Sequence, residues 1–120
     1  MIIEVVDELY KTVEQCSSAN WDGYGATPVA RETFMHACIF LEALPLGTTA
    51  PSVGAEPDGN LTLEWYLSPR HALSVSISPE GALHYAALLG HRKIYGTEPF
   101  WGEVPVIILD IIGQVESLAK

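Results

Sequence analysis

Ser76, His84 and Glu64 are the residues of this chain that could combine as nucleophile, general base and acid, the set used in acyl-transfer hydrolysis. The strand pairing derived below sets Thr62, Ser76 and His84 in one cross-strand row, and Glu64, Ser74 and Ala86 in the next. Positions in the middle of flat strands give a serine no sharp elbow and no backbone donors for an oxyanion. The reading is therefore of ordinary cross-strand polar pairs. The hydrolase alternative, His84 acting with Glu64 or Asp22, requires a concave pocket that joins those groups.

Asn20-Trp21-Asp22-Gly23-Tyr24-Gly25-Ala26 puts two glycines, two large aromatics and a carboxylate in one short run. Glycine lets backbone approach a ligand, Trp21 and Tyr24 offer flat surfaces, and Asp22 accepts hydrogen bonds. The same residues serve packing equally well, with the aromatics plugging a gap and Asp22 capping backbone amides. Both readings stay open. Trp65 and Tyr66, then Trp101, follow as further binding candidates.

Arg70, His71, His91, Arg92 and Lys93 fall together at one end of the inferred sheet, and Glu56, Asp58 and Glu80 at the other. The basic end is a candidate anion or acidic-peptide site, set against the alternative of a solvated turn cluster. His36, beside the apolar stripe of a helix, is read as structural. Cys16 and Cys38 lie on apolar helical stripes and are expected as free thiols in a reducing compartment. No zinc spacing, P-loop, dinucleotide fingerprint or metalloprotease helix occurs, so no metal or cofactor is expected.

The segments that must hold these residues follow from hydrophobic periodicity. Ile2, Val5, Val6, Leu9, Val13 and Cys16 predict a helix over residues 2–17. Phe34, Ala37, Cys38, Leu41 and Leu44 predict another over 29–44, with Thr27-Pro28 as its cap and first-turn proline. The period then falls from 3.6 to 2. Glu56-Pro57-Asp58-Gly59-Asn60 predicts a hairpin with Gly59 in the left-handed position and Glu56 paired with Asn60. Leu61, Leu63 and Trp65, then Leu73, Val75 and Ile77, then Leu83, Tyr85, Ala87 and Leu89 all point to one face. A slip of one residue would expose them all, so Val53 must oppose Leu63, Leu63 must oppose Val75, and Val75 must oppose Tyr85. Ile94-Tyr95 is expected as a short edge strand. A last helix, 104–118, is expected to bury Ile108, Ile111, Ile112, Val115 and Leu118. The expected fold is a single α+β domain over residues 1–120. It has two layers, an antiparallel meander of four to five strands (about 51–95) and three helices.

Composition bounds the function. Of 120 residues, 15 are acidic and 6 basic, a net charge of −9. That field repels phosphate backbones and disfavours direct nucleic-acid binding. Hydrophobic residues make up 48% of the chain and mean hydropathy is +0.21, high enough to suggest a partner face. The last helix is apolar nearly all round and is the expected face for a second copy. No signal-peptide pattern is present, and the longest apolar run, 104–109, is far below a membrane span. A cytoplasmic location without membrane contact is expected.

The Asn20–Ala26 run, followed by Pro28-Val29, Leu63-Glu64-Trp65 and Gly96-Thr97-Glu98-Pro99-Phe100, resembles a family of small uncharacterised bacterial proteins often found near mobile elements. The resemblance covers about residues 18–112. It implies a bacterial origin and carries no activity with it. Size, acidity and resemblance together lead to the expectation of a protein–protein interaction module without catalysis. Such a module would be an inhibitor, antitoxin-like or anti-defence-like, of a basic or nucleic-acid-binding partner. A sensor of a small ligand, held in a cleft roofed by Trp21 and Tyr24, is the remaining alternative.

Overall fold

The computed structural model describes the backbone of residues 2–118 and the side chains of residues 4–117. The expected burial of Ile2 and Leu118 lies outside the described side chains. The elements run α1 (Ile2–Gln15), α2 (Arg31–Glu42), β1 (Ser52–Ala55), β2 (Leu61–Ser68), β3 (His71–Ile77), β4 (Ala82–Leu89), β5 (Arg92–Pro99) and α3 (Val106–Leu118). The strands form one antiparallel sheet in the order β1-β2-β3-β4-β5. This is the α+β meander that the change of period predicts.

The register is also as the apolar pattern requires. Val53 opposes Leu63, Leu63 opposes Val75, and Val75 opposes Tyr85. Leu61, Leu63, Leu73, Val75, Ile77 and Leu83 are completely buried on the face toward the helices. Each such side chain stabilises the fold by about 1.5–3 kcal/mol. All the buried apolar residues except Ala26 belong to one cluster. At the hairpin, the Glu56 amide donates to the Asn60 carbonyl at 2.8 Å, and Gly59 takes φ +92°.

The helical layer is unevenly spread. Helix α1 packs on β1 and α2, α2 on β2 and β3, and α3 crosses β2, β3 and β4. Among the described residues no helix backbone comes within 8 Å of β5, Cα to Cα. The opposite sheet face carries Thr62, Glu64, Ser74, Ser76 and His84, half-buried or exposed.

Three expectations need correction. The edge strand is not confined to Ile94-Tyr95: β5 is eight residues long and continues to Pro99. Its alternation is hidden in sequence because, with no helix above it, few of its residues need be apolar. Helix α2 starts at Arg31 rather than 29, with Ala30 as an N-cap that makes no side-chain hydrogen bond. Thr27-Pro28 does not cap it; the Thr27 amide instead donates to the Pro57 carbonyl at 2.7 Å, clamping the chain to the hairpin before the helix begins. The buried side of α2 holds Thr33, Ala37, Phe40 and Leu41, whereas Phe34 and Cys38 are only half-buried. Apolar residues surround α2, so periodicity alone does not choose its face; Phe40 turns inward to meet Phe100, ring centroids 5.8 Å apart.

Candidate functional site

The Asn20–Ala26 loop closes on itself. Asp22 Oδ1 accepts hydrogen bonds from the Tyr24 amide (2.8 Å) and the Ala26 amide (3.1 Å). The Asn20 amide donates to the Ala26 carbonyl at 2.7 Å, and the Asn20 side-chain oxygen takes the Gly25 amide. Trp21 packs half-buried against the core and donates its indole N–H to the Thr27 carbonyl at 2.7 Å. Tyr24 is 93% exposed. The two aromatics therefore lie in different environments, one anchoring the loop and the other in solvent, and the loop lines none of the depressions described below.

On the open sheet face the two predicted rows are present, Thr62–Ser76–His84 and Glu64–Ser74–Ala86. The hydrogen bonds divide them differently from a catalytic set. Ser76 donates to Glu56 Oε2, which also takes the Thr62 hydroxyl at 2.7 Å. Ser74 donates to Glu64 Oε2 at 3.4 Å. His84 is exposed and its Nδ1 pairs with the Thr97 hydroxyl at 3.0 Å. The serine and the histidine thus belong to separate pairs, and the carboxylate beside Ser76 is Glu56. A shallow depression bordered by Glu56, Ser74, Ser76 and His84 lies over them. Sequence reasoning missed Glu56, although the signal was available: Gly54 opposes Thr62, so Glu56, two residues on, must share that face.

The basic end divides by strand parity. A depression of about 470 Å³ is lined by Pro69, Arg70, Leu88, Gly90, His91 and Lys93. Arg70 reaches His91 Nδ1 at 3.3 Å, and the Gly90 amide donates to the Arg70 carbonyl at 2.8 Å. His71 and Arg92 do not line it. His71 opposes Leu89, which opposes Arg92, on the face toward the helices, and His71 Nδ1 pairs with Ser68 Oγ at 3.0 Å. The ion pair found among the described residues is Lys11–Asp7. The cations at this end therefore have no carboxylate partner there.

An apolar cleft lies where sequence reasoning placed nothing except Trp65 and Tyr66. Strand β1 pairs with β2 only as far as Ser52 opposite Glu64, whereas β2 runs on to Ser68. The preceding chain swings toward α3, where the Thr49 amide and hydroxyl donate to Glu116 Oε2 at 3.3 and 3.1 Å. Trp65, 3% exposed, donates its indole N–H to the Thr49 carbonyl at 2.8 Å. A cleft of about 310 Å³ opens beside the unpaired length of β2, with Trp65, Tyr66, Leu67 and Val115 as apolar walls and Glu64 and Glu116 at its margin. Trp65 is thus primarily a core residue whose edge borders the cleft, and Tyr66 is 60% exposed. Val115 and Glu116 come from the far end of the chain, and their meeting with β2 leaves no mark in local sequence.

Trp101 is 85% exposed and lines none of these depressions. His36 packs against Gly81 and edge-on to Phe100, ring centroids 6.4 Å apart. Helix α3 buries Ile108, Ile111, Ile112 and Val115 and leaves Val106 and Ile107 exposed. Both cysteines are free; burial raises the thiol pKa of each, and Glu42 raises that of Cys38 further. Among the described residues no group of three or more His, Cys, Asp or Glu side chains could hold a metal ion, and no helix is long and apolar enough to cross a membrane. No protein-family model, no curated protein and no solved structure matches the chain.

Proposed function

We propose that this protein is a binding module that takes an extended, basic segment of a protein partner along the free end of β2. The observation that carries this reading is the overhang: β2 outruns β1 and leaves Trp65–Ser68, paired with β3 on one side, without a strand on the other, beside an apolar cleft. A peptide adding there as a strand would gain main-chain hydrogen bonds from the edge and place alternate side chains in the cleft. Glu64 and Glu116 favour lysine or arginine at the margin. The net charge of −9 would speed encounter with a basic partner.

An inhibitor that occupies the basic surface of a nucleic-acid-binding protein is the form of this function suggested by the resemblance to mobile-element-associated bacterial proteins. The free thiols suit a reducing, cytoplasmic setting. The hydrolase reading loses support, because His84 is paired with Thr97 instead of a carboxylate.

The test is titration of alternating apolar–lysine peptides against apolar–glutamate peptides, followed by calorimetry. The basic series should bind more tightly, weaken with salt, and lose about tenfold or more in affinity with Glu64→Lys. Equal affinity for both series would sink the proposal.

A further inference from the structure

The other edge of the sheet points to a partner of a different kind. Strand β5 pairs with β4 in unbroken register from Arg92 opposite Leu89 to Pro99 opposite Ala82, with no bulge to twist it away. Among the described residues its outer side has no strand neighbour. An eight-residue regular edge of this kind is a template for pairing.

The face of β5 toward the helices is also incomplete. Arg92, Ile94, Gly96 and Glu98 share that face, opposite Leu89, Ala87, Tyr85 and Leu83. No helix backbone comes within 8 Å of them, Cα to Cα, among the described residues. Ile94 and Tyr85 are accordingly only half-buried, at the margin of the core. The Tyr85 ring lies directly over Gly96, so close that a Cβ there would come within 2.6 Å of the phenol oxygen. An aromatic covering an edge glycine extends a flat apolar surface to the rim of the sheet.

We propose that β5 pairs with β5 of a second copy of this chain, antiparallel about a two-fold axis that is normal to the sheet and passes between the two Tyr95 residues. A continuous ten-stranded sheet results. Such an axis keeps corresponding faces on the same side, so only registers that oppose residues of the same face are allowed. With the axis at Tyr95, Arg92 opposes Glu98 of the second copy, and Glu98 opposes its Arg92. Two opposite-charge cross-strand pairs form at once. Ile94 meets Gly96 of the second copy and the Tyr85 ring that covers it. On the other face Tyr95, 80% exposed in the single chain, stacks on its own copy, and Lys93 opposes Thr97.

Neighbouring registers lose these matches. An axis at Ile94 sets Arg92 against glycine and Lys93 against Tyr95. An axis at Gly96 sets Ile94 against a carboxylate. The charges of β5 thus select both the occupant and its alignment. The surface is the sheet edge opposite the β2 overhang, so a dimer through β5 leaves the proposed peptide site free.

The experiment is sedimentation velocity and light scattering of the full chain from micromolar to millimolar concentration. The wild type should pass from monomer to dimer. Glu98→Arg and, separately, Arg92→Glu should each weaken association about tenfold or more, and the double charge swap should restore it. Tyr95→Cys should form a disulfide-linked dimer on mild oxidation, because directly opposed Cα atoms lie about 4.5–5.5 Å apart, within the span of a disulfide. Thr97→Cys and the wild type, which carries Cys16 and Cys38, should not. A wild type that stays monomeric at millimolar concentration would overturn the proposal. So would a dimer unaffected by both single charge changes but dissolved by Val106→Asp, which would assign association to α3. Failure of the charge swap to restore a dimer would overturn the register. Far-ultraviolet circular dichroism of each variant separates lost pairing from lost folding, and exposed Arg92 supplies the variant least able to disturb the core.

Discussion

Asp22 and Tyr24 stand two residues apart and do unlike things. Asp22 holds two loop amides, and Tyr24 projects into solvent. Asp22→Ala should cost about 1.5 kcal/mol in urea unfolding, because amides bonded to a carboxylate lose their acceptor. Tyr24→Ala should stay within about 0.5 kcal/mol of the wild type. Thr33 presents the opposite case, a completely buried hydroxyl with no hydrogen-bond partner in the first turn of α2. Thr33→Val keeps the branched shape and removes the unpaired group, so it should raise stability by up to about 1 kcal/mol in the same assay. The thiols add a pH dependence. Burial raises the pKa of both above the ordinary 9.0, so the folded chain holds these protons more tightly than the unfolded chain does. The stability they contribute is fully present below pH 9.0 and falls as pH rises toward the folded values. Iodoacetamide labelling at pH 8 should accordingly be slower in the native chain than in urea.

Between elements, the contact that sets the geometry of the first half is the clamp of the 27–28 segment on the β1–β2 hairpin. A Cβ at Gly59 would meet the Pro28 carbonyl oxygen at 2.9 Å, and the residue also holds φ +92°. Gly59→Ala should lower stability by about 2 kcal/mol, seen as a reduced melting temperature with little change in secondary structure at low temperature. The same clamp moves the start of α2 to Arg31, because Thr27 and Pro28 are engaged before the helix can begin. At the far side of the sheet, β1 pairs no further than Ser52 because the chain before it is drawn to Glu116. One short strand thereby creates the free β2 edge on which the proposed function depends.

For the molecule as a whole, charge is the dominant property. Fifteen acidic residues against six basic ones repel one another in the compact state. Thermal stability should therefore rise as sodium chloride is raised to a few hundred millimolar, where the screening length falls to several ångströms. Calorimetry at fixed pH checks it, and a melting temperature that falls with salt would mean that attractive pairs dominate. The charge is unevenly placed: Arg70, Arg92 and Lys93 gather at one end of the sheet, with no carboxylate partner among the described residues. That polarity orients any approaching partner.

The strands, their register and the sheet's inward face were legible in sequence because alternation has a period of two, and any shift would turn Leu61, Leu63, Val75 and Leu83 to water. The same rule gave the Thr62–Ser76–His84 row correctly. The inward face of α2 was not legible, since Phe34, Met35, Ala37, Cys38, Ile39, Phe40 and Leu41 offer apolar contact all round; Phe100, arriving from beyond β5, decided it. The partners of Ser76 and His84, the cleft joining Trp65 to Val115 and the bare rim of β5 were likewise tertiary outcomes. Local periodicity records which way a side chain faces relative to its neighbours in the chain. What stands opposite that side chain depends on where other elements end, and those endpoints were set by the Thr49–Glu116 contact, by the hairpin clamp and by the reach of α3.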